Sequence, residues 1–208
     1  FTAFQLLRLT GLPDFSPAGQ RAVDVAAEWT RHARAQLRII HVTPPKPWLR
    51  GLWGLDSSTD DTIDRHAASA LKEVAQAADP QRTIELSTGV LSGAAARSIA
   101  DAARDYQADL IVVGARGERD EAGEPLLGGT SAKLLTTAKV PLLLVRRTRK
   151  DPVLGVVAAL DLSARSRVVL EWADLAAAER HLYAYHVYDV PFATRLEAYG
   201  LAASDIVQ

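Results

Sequence analysis

The chain has 208 residues, of which 48% are hydrophobic, and its 24 basic and 25 acidic residues leave a formal net charge of -1. This composition supports one large folded domain, or one domain and part of another, and it excludes a disordered chain. The balanced charge gives no general attraction to nucleic acid, and the absence of cysteine excludes disulfides, thiolate catalysis and zinc–thiolate sites.

Strands and helices are predicted to alternate along the first two-thirds of the chain. Short apolar runs predict strands at residues 6–9, 36–42, 83–89, 109–114 and 140–145. Helical spacing predicts helices at about residues 16–34, 61–78, 92–108 and 129–138, with Ser92 or Gly93 and Gly129 or Thr130 as caps. Continuous apolar strands between helices are typical of an α/β fold, an open parallel sheet with helices on both faces.

The pattern begins again after the basic segment RRTRKDP. Residues 1–147 are predicted to form the first domain, residues 148–152 a linker, and residues 153–208 a partial second copy. Asp161 and Ser163 match Asp14 and Ser16, and the His-Val pair at His186 matches the pair at His41. The second copy stops after its second strand and contains no counterpart of the glycine-rich loop.

These motifs together resemble the universal stress protein family, as a tandem-type member whose second domain is incomplete in this chain. The resemblance rests on Asp-x-Ser, His-Val, DLIVVGARG, a later Gly-Thr before a helix, and VPLLLV. It implies a five-stranded sheet in the order 3-2-1-4-5 and a stress-response role. The family motif is Gly, two residues, Gly, nine residues, Gly and Ser or Thr. Here eleven residues separate Gly117 from Gly129, and GLP stands between the first predicted strand and Asp14.

The resemblance also implies an adenine nucleotide, ATP or ADP with or without Mg²⁺, at the point where the strand order reverses. Glycines there allow positive φ and close backbone approach, and a helix start offers N–H groups to phosphate. An aspartate suits a ribose hydroxyl or a magnesium-bound water, and a strand-end backbone suits adenine. The implied binding residues are Asp14, Val42, Gly114, Gly117, Gly129 and Thr130.

Other interpretations of the same residues remain open. The glycines can be turn residues alone, with Thr130 a helix cap, in a family member that binds no nucleotide and acts through dimerisation and protein contacts. GEPLLGGT has P-loop glycine spacing but lacks the lysine, which excludes a P-loop NTPase. No metal-binding histidine spacing and no catalytic base are evident, so we expect no enzyme beyond slow ATP hydrolysis.

The partners and location follow from the same features. The apolar strand from Val140 to Val145 is expected to pair in a homodimer or between domains of one chain. No nucleic acid partner is expected because the net charge is only -1. No membrane partner is expected because no apolar run approaches the roughly 18 residues of a membrane span, and a cytoplasmic location is predicted. The loop between Gly117 and Gly129 carries Glu118, Asp120, Glu121 and Glu124, which we expect to make nucleotide binding weak and magnesium-dependent.

Overall fold

The chain divides into two compact units, Phe1–Thr148 and Arg149–Gln208. A computed structural model describes residues 8–12, 17–45, 57–115, 127–146, 155–178 and 180–188. None of the described helices combines the length and apolar character that a membrane span requires.

The first unit alternates strands and helices as its hydrophobic pattern predicts. Its strands are β1 (Arg8–Leu12), β2 (Gln36–Thr43), β3 (Glu85–Ser92), β4 (Leu110–Gly114) and β5 (Leu142–Val145). Its helices are α1 (Pro17–Ala33), α2 (Ser57–Ala78), α3 (Ala95–Asp105) and α4 (Gly129–Thr137). All five strands pair in parallel, in the order β3-β2-β1-β4-β5.

The two faces of this sheet carry different helix pairs. Helices α1 and α2 contact each other and the sheet, as do α3 and α4. Ile40, Ile111 and Val113 pack with the buried residues of α3 and α4 in one cluster. Since successive strand residues point to opposite faces, the equally buried Ile39 and Val112 face the other helix pair. The predicted α/β class is confirmed.

Small side chains let α1 lie close to the sheet. This helix buries its inner stripe completely at Ala22, Val23, Ala26, Ala27 and Thr30, a spacing that keeps one helical face inward. The Thr30 hydroxyl bonds the Ala26 carbonyl at 2.6 Å, so its polar atom is satisfied inside the core.

Several boundaries predicted from the sequence are wrong; α2, for example, begins at Ser57 and not at residue 61. Strand β1 continues through Gly11 to Leu12, a segment that turn-forming residues suggested was a loop. Helix α3 is capped by Ala94 without a side-chain bond, because Ser92 still belongs to β3 and Gly93 turns the chain at φ 148°. The Gly93 N–H donates to the Thr43 carbonyl at 3.0 Å, which ties the ends of β2 and β3 together.

A buried carboxylate organises the turn from α2 to β3. Asp79 is 6% exposed, and its carboxylate accepts the Thr83 hydroxyl at 2.7 Å and the Ile84 N–H at 2.9 Å. Burial alone raises the pKa of Asp79, but the bonds from Ile84 and Thr83 and the charge of Arg31 outweigh it, and the pKa lies below its usual value.

Asp79→Asn is expected to lower the urea midpoint of unfolding at pH 7 and to make this midpoint change less as the pH is lowered. Because the folded pKa lies below the unfolded value of about 3.9, the carboxylate stabilises the fold fully above that value. This stabilisation is lost as the pH falls through the folded pKa. Urea titrations between pH 7 and pH 3 measure both effects. Asp105→Asn, at an exposed carboxylate paired with Arg104, is the control and should change little; equal effects of the two variants would contradict the role of Asp79.

The described part of the second unit contains a strand, a helix and a second strand. Strands β6 (Gly155–Leu160) and β7 (His181–His186) pair in parallel, and α5 (Ser166–Ala177) contacts both. Ala158, Ala173 and Ala177 are buried, whereas Val157 and Tyr185 are more than half exposed. One face of this two-stranded sheet is thus covered by α5 and the other carries exposed apolar side chains.

Candidate functional site

The carboxyl ends of β1, β2 and β4 form a stepped edge. The register pairs Gly11 with Ile39 in β2 and Leu12 with Val113 in β4. Strand β2 therefore continues to Thr43, four residues past its last β1 partner, and β4 continues one residue to Gly114. The strand order reverses between β1 and β4, and open α/β sheets bind ligands outside such a point.

Gly114 lies where β4 meets the first turn of α1, and its backbone conformation differs from the predicted one. It is fully packed, and a Cβ added there would lie 2.9 Å from the carbonyl oxygen and 3.0 Å from the carbonyl carbon of Ala18. Among the described glycines only Gly93 has a positive φ. Gly114 is thus needed for the close approach of α1 to β4, and it does not have the positive φ that we predicted.

The start of α4 lies at the same edge of the sheet. Its cap is Gly128, so Gly129 and Thr130 are the first two helical residues and neither caps it, contrary to prediction. Ten residues separate Gly117 from the capping Gly128, whereas eleven separate it from Gly129, so the loop is closer to the nine residues of the family motif. Two adjacent glycines made this register ambiguous in the sequence. A Cβ added at Gly129 would meet no atom within 4 Å, so the space beside the first helical residue is open.

Within α4 itself, no side chain compensates the positive partial charge of the first turn. The first turn has no acidic residue, and the capping residue Gly128 has no side chain that could accept a hydrogen bond from the N–H groups of this turn. The first intrahelical bond is made by the Ala132 N–H to the Gly128 carbonyl at 2.9 Å. The N–H groups of residues 129–131 therefore precede the regular helical bonding and can bind an anion.

Hydrogen bonds attach the start of α4 to the carboxyl end of β4. The buried Ser131 hydroxyl donates to the Gly114 carbonyl at 2.8 Å, and the Gly128 N–H donates to the Ala115 carbonyl at 2.7 Å. The Ala115 N–H in turn donates to the Val145 carbonyl at 2.8 Å. The sequence did not reveal Ser131, because a serine near a helix start usually bonds its own local backbone and no spacing signals a distant strand.

Val42 approaches the edge from the other side of β1. It is the penultimate residue of β2, in register with Leu91 of β3, and its half-buried side chain packs on the cluster beneath α3 and α4. On the side that faces β1, its backbone lies beyond the last register pair. The structure thus places Val42, Gly114, Gly129 and Thr130 at one edge, with Val42 and α4 on opposite sides of β1.

The other predicted site residues lie outside the described residues. These are Asp14, Gly117 and the loop acids Glu118, Asp120, Glu121 and Glu124. Because β1 extends to Leu12, only Pro13 stands between the strand and Asp14, which removes most of the apparent departure from the family pattern.

The second unit shows an Asp-x-Ser motif in full. Asp161 follows β6 directly, and one of its carboxylate oxygens accepts the Ser163 N–H at 2.9 Å and the Ser166 hydroxyl at 3.0 Å. Hydrogen bonds from the side chain and backbone of Ser163, and then from Ser166, lower the pKa of Asp161 to about 2. Beside it, His186 Nδ1 donates to the Leu160 carbonyl at 2.7 Å and links the two strand ends.

Within the described residues, no group of three or more histidine, aspartate or glutamate side chains is placed to hold a metal ion. The loop acids are not among these residues. Within this part of the chain, the chemistry of the edge therefore rests on backbone N–H groups and hydroxyls, which suit an anionic ligand.

Comparison with known proteins identifies the family. The family model described as the universal stress protein family matches residues 13–146, more than half of the chain. The chain belongs to this family. A universal stress protein of Thermus aquaticus is 32% identical over 133 residues, which cover 64% of this chain and 93% of the relative. A universal stress protein from Methanocaldococcus jannaschii is 28% identical over 138 residues, which cover 64% of this chain and 76% of the relative.

Solved structures of the family share the fold. A universal stress protein from Archaeoglobus fulgidus DSM 4304 has a TM-score of 0.70 at 21% identity and covers 94% of this chain and 73% of its own. A universal stress protein in complex with cAMP has a TM-score of 0.51 at 23% identity, covering 69% and 98%. Another from Archaeoglobus fulgidus, in complex with dAMP, has a TM-score of 0.50 at 18% identity, covering 67% and 97%.

Proposed function

We propose that this chain is a stress-response regulatory protein that binds an adenine nucleotide, ATP or ADP, at the stepped edge between β2 and α4. The observation that carries the proposal is the start of α4, which is open at Gly129, has no acidic residue in its first turn, and is hydrogen-bonded to the end of β4 beside the strand-order reversal. The family structures in complex with cAMP and dAMP support the choice of an adenine nucleotide.

Each part of the nucleotide has residues suited to it. The β2 backbone at Val42 is proposed to contact adenine, because this strand continues to Thr43, beyond its last register pair with β1 at Ile39. The N–H groups of Gly129 and Thr130 are proposed to contact phosphates. Asp14 is proposed to hold a ribose hydroxyl and Gly117 to allow backbone approach, and both assignments rest on the family motif.

We propose that the protein binds its nucleotide without catalysis beyond slow ATP hydrolysis. This follows from the sequence, where no serine or threonine has an evident histidine base. Mg²⁺, when bound, would neutralise phosphate charge. The described residues offer it no ready-made site, so its protein ligands would come from Asp14 or the loop acids.

A second function, through protein contacts, is favoured by the edge of the sheet. Strand β5 is the last strand in the order, and its three leucines are only half-buried. Exposed apolar edges pair with other strands, so we propose that the strand from Val140 to Val145 joins two chains or two domains. If no nucleotide binds, pairing through this strand is the alternative basis of function. The cytoplasmic location remains a prediction.

We also propose that the second unit is the start of a second copy of the first. The order β6-α5-β7 repeats the order β1-α1-β2, with parallel pairing in both. One family structure matches 94% of this chain, whereas the two nucleotide complexes match only 67–69% of it. The longer match supports this assignment, because it extends past the first unit.

Titration of the purified chain with ATP, ADP and adenosine tests the nucleotide site, together with Gly129→Glu and Gly129→Gln. A carboxylate at the first helical position stabilises the helix by its dipole but repels phosphate, by about 1 kcal/mol at ~4 Å in water, or about fivefold in affinity. Gly129→Glu should therefore melt at or above the temperature of Gly129→Gln yet bind ATP more weakly, with adenosine unaffected. Absence of ATP binding by the wild type, or equal ATP affinity of both variants, would refute the proposed site.

A further inference from the structure

Ser131 makes a contact that differs from those of the other hydroxyls on α4. Its side chain is 3% exposed, and its hydroxyl donates to Gly114, seventeen residues earlier in the chain, at 2.8 Å. Thr136 and Thr137 donate instead to the Lys133 carbonyl within the same helix, both at 2.9 Å. Only the Ser131 bond, among these three, joins the helix to the strand edge where the site lies.

The position of this bond determines what it controls. It joins the first turn of α4 to the last residue of β4, next to the Gly128 N–H bond to the Ala115 carbonyl. Together the two bonds fix both the distance and the direction of the free N–H groups relative to the sheet. Hydrogen bonds to an anion weaken steeply when the donor is misaligned, so a small rotation of α4 would reduce phosphate binding.

We infer that Ser131 is a positioning residue that aims the start of α4 at the phosphates of the bound nucleotide. The inference rests on the proposed nucleotide site and adds a function for a buried hydroxyl that the family motif leaves out. Ser131 touches Gly114 and acts on the ligand only through the orientation of α4. Its removal should therefore affect the phosphate end of the ligand and leave the adenosine end unchanged.

The test compares Ser131→Ala with Thr136→Ala in the full chain, by calorimetric titration with ATP and with adenosine. Ser131→Ala is expected to weaken ATP binding on the order of fivefold, the usual consequence of losing one hydrogen bond, with no change for adenosine. Thr136→Ala removes a hydroxyl from the same helix without touching β4 and should change neither affinity. Ser131→Thr keeps the hydroxyl and should restore the ratio of the two affinities.

The ratio of ATP to adenosine affinity separates positioning from general stability. Equal weakening of both ligands, or an unchanged ratio in Ser131→Ala, would overturn the inference while the nucleotide site stands. A wild type that binds no ATP would overturn the proposed function and the inference with it. If Ser131→Ala does not fold, Ser131→Cys, which is similar in volume and a weak donor, is measured in its place with the same expected change in ratio.

Discussion

Replacing Gly114 by alanine is expected to destabilise the first unit by about 1–3 kcal/mol, the usual cost of overpacking a core. The added Cβ would lie 2.9 Å from the Ala18 carbonyl oxygen and 3.0 Å from its carbonyl carbon. Both are backbone atoms in the first turn of α1, and the buried stripe of that helix prevents it from moving away alone. Urea unfolding at neutral pH measures the change in free energy.

Gly129→Ala is the matched control, because a Cβ there meets nothing within 4 Å. Alanine also favours helix over glycine by up to about 1 kcal/mol, so the stability of this variant should be unchanged or higher. Ala18→Gly combined with Gly114→Ala should not restore stability, since it removes the Ala18 Cβ at 3.3 Å but neither of the closer backbone atoms. Equal stability of the two single alanine variants would contradict this account of the packing.

The sequence predicts the α/β class because its strands are continuous apolar runs separated by helical spacing. The order of the strands comes from the family resemblance, since periodicity alone does not specify which strands are neighbours. One boundary error is at the end of β1, where Gly11 suggested a turn. Gly11 instead sits between Ile39 and Val112 in a strand paired on both sides, and pairing overrides the weak local preference of glycine.

At the candidate site, the sequence predicts which segments meet but not how their atoms are arranged. Gly114 was identified from the motif, yet its contact with Ala18 depends on the docking of α1, which no local pattern specifies. The same holds for Ser131, whose partner lies on another element. The choice between Gly128 and Gly129 as cap likewise depends on a distant contact, because the Gly128 N–H donates to the carbonyl of Ala115, directly after β4.

We expect the loop acids to have the largest effect on how tightly a nucleotide binds. Between Gly117 and Gly129 the sequence has these four acids and one arginine, Arg119, with Arg116 just before. A carboxylate about 4 Å from a phosphate charge costs about 1 kcal/mol in bulk water, and more where water is excluded. Two or three such contacts reduce the affinity by about a hundredfold. A divalent cation between acids and phosphates reverses the sign of this effect.

Neutralising all four loop acids to Gln or Asn is therefore expected to raise the ATP affinity by about a hundredfold in chelator and to remove most of the magnesium dependence. The neutral variant loses the repulsion but also the carboxylates that a cation would bridge, so its affinities with Mg²⁺ and with chelator should converge. Neutralising four exposed helical carboxylates instead, Asp24, Glu28, Glu73 and Asp105, makes the same change in net charge and should leave the magnesium dependence intact. Titrations at low and high salt add a further check, because solvent-facing acids are screened within a Debye length. If wild-type protein binds ATP equally well with and without Mg²⁺, the acids do not face the phosphates, and the affinity is determined by α4 and the strand edge instead.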